Sequence, residues 1–96
     1  STKIRPALII SMTDERADDI IVCFISSQLN NAPKVCHYIL RDTDPHFRRS
    51  GLKITSVFRF DKIATLHKQL ILGELGSLHP VILRQMKKAF RGAFGF

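Results

Sequence analysis

Arg59 and Asp61 stand two residues apart in the stretch SVFRFDKI, residues 56–63. Side chains of an extended strand alternate between its faces, so these two share one face and Phe58 and Phe60 share the other. A guanidinium beside a carboxylate over an apolar layer has two uses. The pair can be a surface ion pair, worth about 0–1 kcal/mol when exposed. It can also reach together for a group lying over the sheet, a phosphate above all, because arginine grips phosphate through two parallel N–H bonds.

Other residues fit the second use. Arg5 precedes Pro6, which pushes it to an extended form at the mouth of a strand. Ser26, Ser27 and Gln28 end the next apolar run with three hydrogen-bonding side chains. His46, Arg48 and Arg49 lie together in a polar loop, and Lys53 opens the strand region that carries Arg59. These residues make a candidate phosphate-binding set whose convergence sequence spacing does not prove. The other polar clusters are plainer. Asp42 and Asp44 flank a threonine before Pro45, a pattern of turns more than of metal sites. His37 alternates with apolar neighbours and reads as structural, and His67 and His79 read as surface and helix-start residues. The sequence has no phosphate-binding GxxxxGK[ST], no GxSxG and no HExxH.

The elements that must position these residues are short. Residues 6–11, 20–26 and 35–40 read as strands, the second apolar enough to be covered on both faces. Residues 12–19 read as a polar loop, 27–34 as a turn and 41–51 as a long loop. Residues 52–60 read as a fourth strand, 61–71 as one or two further short strands, and 72–78 as a glycine-punctuated turn. Pro80 then suits a first helical turn, and apolar residues at 82, 83, 86, 89, 90 and 93 make a helical stripe. A helix of about 12–14 residues is expected there. The fold class is mainly β, a bent antiparallel sheet or partial barrel, with one C-terminal helix packed on it.

Ninety-six residues, 45% of them hydrophobic, make one domain with a real core. Lys and Arg number 15 against 8 Asp and Glu, a formal charge of +7. Such a balance points to a polyanionic partner, nucleic acid or an acidic protein, or serves solubility alone. No apolar run reaches the ~20 residues of a membrane span, and no signal peptide opens the sequence. A cytoplasmic protein without a membrane role is expected. Cys23 and Cys36 lie in apolar stretches without CxxC spacing, which reads as two buried thiols and argues against a zinc site. No cofactor and no metal is expected.

The segments KIRPALIIS, FISSQ, GLKITSVFRFDKIATL and LGELGSL followed by HPVILRQMKKAF occur in the order seen in the MazF/PemK-like toxins, and the chain resembles that family over most of its length. The resemblance implies an SH3-like small barrel with a C-terminal helix over residues 1–96. It implies a homodimer or higher oligomer that cleaves single-stranded RNA without metal and is neutralised by an acidic antitoxin protein lying across the RNA site. Members of that family carry a strand and loop ahead of the Arg-Pro element, where this sequence has the four residues Ser1 to Ile4. The barrel is therefore expected to be incomplete or completed by a partner copy, with the activity of this short form depending on what fills the gap.

Carried over by motif, the resemblance places Arg5, Ser26, Arg59 and Asp61 in the catalytic set. The 2′-hydroxyl would attack the neighbouring phosphorus, with Asp61 as the natural base and Ser26 on a phosphate oxygen. An arginine side chain does not give up its proton in proteins, so Arg59 and Arg5 fit electrostatic clamps, with water or another group as acid. Ser27, Gln28, His46, Arg48, Arg49 and Lys53 remain as nucleic-acid contacts. Two rivals stay open: a basic barrel that binds RNA or antitoxin without cutting, including an inactive truncated toxin, and a structural protein whose charge only solvates it.

Overall fold

The computed structural model describes residues 4–11, 18–29 and 34–95. The loop expected at 12–19 and the turn at 27–34 lie partly outside these residues. Four strands, β1 (Ala7–Ile9), β2 (Asp19–Ser26), β3 (His37–Leu40) and β4 (Ser56–His67), form one antiparallel sheet in the order β1-β2-β4-β3. A 15-residue helix, α1 (Pro80–Phe94), covers one face of this half-barrel. The order leaves β1 and β3 as the sheet's two edges.

β4 differs most from expectation. It is one strand of 12 residues, where the sequence reads as a strand at 52–60 and further short ones beyond. The break lies in the pairing and not in the strand. Cys23 of β2 faces Ile63, yet the next residue, Phe24, faces Arg59. Phe60, Asp61 and Lys62 therefore have no opposite number on β2, and the β3 ladder ends at the His37–Arg59 pair. Extra residues on one strand bend it and sharpen its twist. Ile63 to Leu66 then continue to pair with β2, so β4 serves both halves of the curled sheet.

The segment ahead of β4 is no strand, because Gly51 turns the chain with φ +73° after a short 3-10 turn at Arg48–Ser50. A Cβ at Gly51 would collide with the Leu75 carbonyl, and one at Gly76 with the Arg49 carbonyl. The two glycines thus let the 72–78 segment lie backbone to backbone on the turn, where Ser77 N donates to Arg49 O at 2.9 Å. β3 also starts later than expected: Val35 and Cys36 belong to a 3-10 turn, Lys34–Cys36.

Phe58 and Phe60 face α1, as their spacing requires, and are 1% and 3% exposed. They form the core with Cys23, Leu40, Ile82 and Met86. Phe60 meets Phe90 of α1 edge to face, 5.6 Å between ring centroids. The helix begins where Pro80 stands at its first turn and the His79 ring accepts a hydrogen bond from Val81 N at 3.1 Å. It ends at Gly95, φ +71°. Of the expected stripe, Leu83 is the exception: it is 42% exposed, at the lip of an apolar cleft of about 340 Å³ that Leu8, Ile9, Phe60 and Phe90 also line. Cys23 is buried as expected, but Cys36 is only partly covered. Among the described residues no helix is long and apolar enough to cross a membrane.

Chemical denaturation separates core from lip. Phe58→Ala and Phe60→Ala should each cost about 3–5 kcal/mol through lost burial and a residual cavity, and Leu83→Ala less than about 1 kcal/mol. Equal losses at all three positions would place Leu83 in the core instead.

Candidate nucleic-acid interface

The face of the sheet away from α1 carries the polar groups. Ala7, Phe24, Arg59 and His37 face one another across the four strands in a single row. Two rows along, on the same face, lie Ser26, Val57 and Ile39. Ser26 is thus a diagonal neighbour of Arg59, a relation of about 7–8 Å between backbones. The β1–β2 pairing runs on to Pro6, whose carbonyl accepts from Ile25 N at 3.2 Å. Arg5, one residue further, therefore comes to the level of Ser26, with its side chain exposed. Sheet register alone gathers Arg5, Ser26, Arg59 and Asp61 toward one side.

Asp61 is the most engaged of these groups. Arg59 Nη2 donates to its Oδ2 at 2.5 Å and Arg59 Nε to its Oδ1 at 3.1 Å, the two-pronged geometry of a guanidinium on a carboxylate. His37 Nε2 lies 2.8 Å from the same Oδ1. Arg59 Nε also comes within 3.2 Å of His37 Nε2, but that nitrogen cannot donate to Asp61 and accept from Arg59 at once. The shorter contact is with a carboxylate oxygen, which has only lone pairs to offer, so the proton belongs on Nε2 and points to Asp61. His37, read from sequence as structural, is a member of this cluster. Its side chain is 2% exposed, and its Nδ1 has no hydrogen-bond partner among the described residues.

The electrostatics follow from these contacts. The Arg59 hydrogen bonds hold the Asp61 carboxyl well below its usual 3.8, at about 2, against the upward push of burial, with the His37 bond adding to the effect. Asp61 in turn, chiefly through the same hydrogen bonds, raises the Arg59 guanidinium above its ordinary value. In the resting protein Asp61 is a firmly ionised carboxylate with both oxygens occupied, and Arg59 holds its proton more tightly than a free arginine.

The remaining expected contacts sit elsewhere. Ser26 Oγ accepts from Gln28 N at 3.0 Å, which shapes the end of β2 and leaves Ser27 and Gln28 exposed. Lys53, Arg48 and Arg49 are exposed on the segment joining β3 to β4, beyond the Leu40–Ser56 end of the sheet. Arg49 Nε is bound to Ser77 Oγ at 3.0 Å. His46 is not with Arg59: its ring stacks on His79, 3.8 Å between centroids, at the start of α1. Burial, followed by the neighbouring His46, Arg49 and Arg84, lowers the pKa of His79. Asp44 Oδ1 accepts from His46 N at 2.8 Å, so the Asp42–Asp44 stretch is a turn, as its sequence reads. One convergence was invisible to spacing: ligand atoms of Cys36, His37 and Asp61 lie within 4.8 Å of one another.

The depressed Asp61 pKa carries a stability consequence with a definite sign. The unfolded carboxyl binds a proton near 3.8 and the folded one only near 2. The ion-pair contribution is therefore complete above the unfolded value and is lost as pH falls toward the folded one. Thermal melts between about pH 4 and about pH 2 should show a smaller loss of stability for Asp61→Asn than for the parent chain. Parallel curves would show that Asp61 is not held as described.

The comparisons agree with this architecture. The model of the PemK-like, MazF-like toxin of type II toxin–antitoxin systems matches residues 1–94. No curated protein matches the chain at a significant level. Among solved structures the chain is similar to the Mycobacterium tuberculosis toxin MazF-mt6, at TM-score 0.75 and 20% identity over 96% of this chain and 87% of that one. It is similar to an endoribonuclease in complex with its cognate antitoxin from Mycobacterial species, at TM-score 0.74 and 20% identity over 96% of this chain and 82% of that one. An endoribonuclease from Mycobacterial species gives TM-score 0.73 and 20% identity, covering 96% of this chain and 81% of that one. At such identities the structures speak for a common half-barrel and C-terminal helix, and the family match over nearly every residue speaks for descent: the chain belongs to the PemK-like, MazF-like toxins of type II toxin–antitoxin systems.

Proposed function

We propose that the chain is a toxin endoribonuclease that cleaves single-stranded RNA by attack of the 2′-hydroxyl on the adjacent phosphorus, without a metal. The observation that carries this is the Arg59–Asp61–His37 cluster on the face of the sheet away from α1, in a chain of charge +7. RNA carries its nucleophile next to the scissile bond, so the protein must supply charge stabilisation and proton transfer.

Arg59 can serve one anion at a time with its full fork. A phosphate arriving over the sheet competes with Asp61 for the same N–H groups. When Arg59 turns to the phosphate, Asp61 loses the contact that chiefly holds its pKa near 2 and becomes a better base toward the 2′-hydroxyl. His37 keeps its bond to Oδ1 and fixes the carboxylate in place. Arg5 and Ser26 lie where they can hold a neighbouring phosphate oxygen. Protonation of the leaving 5′-oxygen then falls to water or another group, since the arginine keeps its proton.

The same face offers a surface for an acidic antitoxin, whose carboxylates would occupy the Arg59 fork as a phosphate does. Similarity to a structure solved with its antitoxin supports that partner class. Exposed Arg48, Arg49 and Lys53 extend the positive surface for either polyanion. The apolar cleft between β1 and α1 favours self-association, since uncovered apolar surface of this kind marks contacts. Light scattering at about 100 µM should give a dimer or larger, and a clean monomer would remove that part of the reading.

Cleavage is tested on one single-stranded RNA in EDTA under single-turnover conditions. The products expected are a cyclic phosphate and a free 5′-hydroxyl. Asp61→Asn should keep the fold and slow cleavage by roughly 10²–10⁴-fold, and Arg59→Lys should be similarly damaging, because an ammonium cannot replace the planar fork. A stable Asp61→Asn protein that cuts at the parent rate would remove Asp61 from the chemistry. RNA binding that weakens steeply with salt but yields no products would favour the non-catalytic basic barrel.

A further inference from the structure

Cys36 and His37 are consecutive, and consecutive residues of a strand point to opposite faces. Here they converge because a 3-10 turn ends at Cys36 and β3 begins at His37. Asp61 arrives at the same point from the part of β4 that has no opposite number on β2. A sulfur, an imidazole nitrogen and a carboxylate oxygen are thus brought within 4.8 Å of one another.

We propose that Cys36, His37 and Asp61 form a Zn²⁺ site that is exclusive with the Arg59–Asp61 pair, so that zinc binding switches this face off. The donor set of thiolate, imidazole and carboxylate is the mixture Zn²⁺ takes, with a water completing the tetrahedron. Ligand atoms around a tetrahedral zinc stand about 3.3–3.8 Å apart, so side-chain shifts of about 1 Å close the site. The imidazole binds through its neutral form, and the His37 ring already has one nitrogen without a partner among the described residues. Cys36 gives its thiol proton to solvent as the Zn–S bond forms. The second thiol is no rival, because burial pushes Cys23 up to about 12.

Arg59 gives the site its meaning. Its guanidinium occupies both oxygens of Asp61 and stands 3.2 Å from His37 Nε2. A dication cannot share that space with a fixed cation a few ångströms away. Arg59 is partly exposed and can swing into solvent. Metal and arginine therefore alternate on Asp61, and the metal-bound state has neither a free carboxylate nor a placed fork. The inhibition rests on the function proposed above, whereas the binding does not.

The test uses the full chain and Co²⁺ as a spectroscopic probe for the zinc site. Titration should give a thiolate-to-cobalt charge-transfer band in the near ultraviolet, displaced by Zn²⁺ and absent in Cys36→Ser and Cys36→Ala. Arg59→Ala should bind about tenfold tighter or more, because one opposing unit charge has gone. In the cleavage assay Cys36→Ser should keep the basal rate and need about tenfold or more Zn²⁺ for half-inhibition. No band, or a band that survives loss of Cys36, overturns the site. An affinity unmoved by Arg59→Ala, or equal zinc inhibition of parent and Cys36→Ser proteins, overturns the exclusion. A parent chain that cuts no RNA removes the function proposed above and leaves the cobalt titration to decide the site.

Discussion

A carboxylate whose two oxygens are both taken needs its partners to arrive from different directions. Asp61 receives Arg59 from its own strand and His37 from the neighbouring one. A regular ladder on both sides of β4 would hold the residues after Arg59 flat within the sheet. The lapse in pairing over Phe60, Asp61 and Lys62 frees that stretch to bend. What keeps it from simply fraying is the residue between the two charged ones. Phe60 is 3% exposed and meets Phe90 edge to face, so the helix grips the strand at the very point where the ladder lets go. The core on one face and the charges on the other are two consequences of the same residues.

This arrangement sets the resting state of the site. An exposed ion pair between flexible side chains contributes little, but here two hydrogen bonds from Arg59 and one from a buried imidazole hold the carboxylate at about 2. A base so tightly held is poor until something draws Arg59 away. On the proposed reading a substrate phosphate does that by offering the same acceptor geometry. An acidic peptide offers it too, without a nucleophile or a scissile bond. On the proposed reading, substrate and antitoxin compete through the chemistry of one fork, and what distinguishes them is whether a 2′-hydroxyl accompanies the anion.

The sequence made much of this visible and hid the rest for identifiable reasons. The alternation of Phe58, Arg59, Phe60 and Asp61 assigned each side chain to its correct face, because the pleat alone decides that. Pro80 and the apolar spacing locate α1, although the spacing alone does not show that Leu83 stands at the lip of a cleft rather than in the core. The single long β4 reads as more than one strand because residues 61–71 lose the clean apolar alternation at Asp61 and Lys62, where the pairing lapses. His37 could not be recognised, since its role comes from standing opposite Arg59, and strand register between segments 22 residues apart leaves no mark in composition. The partner of His46 is hidden for the same reason: its neighbours in the chain are Arg48 and Arg49, while its ring stacks on His79, which is distant in sequence.

The members of the proposed site are not held equally, and their positions in the sheet say how they divide the work. Arg59 stands where β4 pairs with both β2 and β3, and Asp61 follows in the stretch that has no opposite number on β2, with the buried rings of Phe58 and Phe60 on the other face. The backbone that carries them is fixed before any ligand arrives, while the Arg59 fork rests on Asp61 until an anion draws it off. Arg5 precedes an edge strand of only three residues and is anchored beyond it by the Pro6–Ile25 hydrogen bond. Edge segments with few partners open at low cost, so Arg5 suits capture of a flexible strand better than stabilisation of a fixed charge. Ser26 lies between these extremes, with its hydroxyl already committed to Gln28 N and its lone-pair capacity only partly used. On the proposed reading, a sheet with a firm centre and a yielding edge takes in an irregular polyanion at its margin and offers the one phosphate that reaches its middle a fork that has only to turn from Asp61.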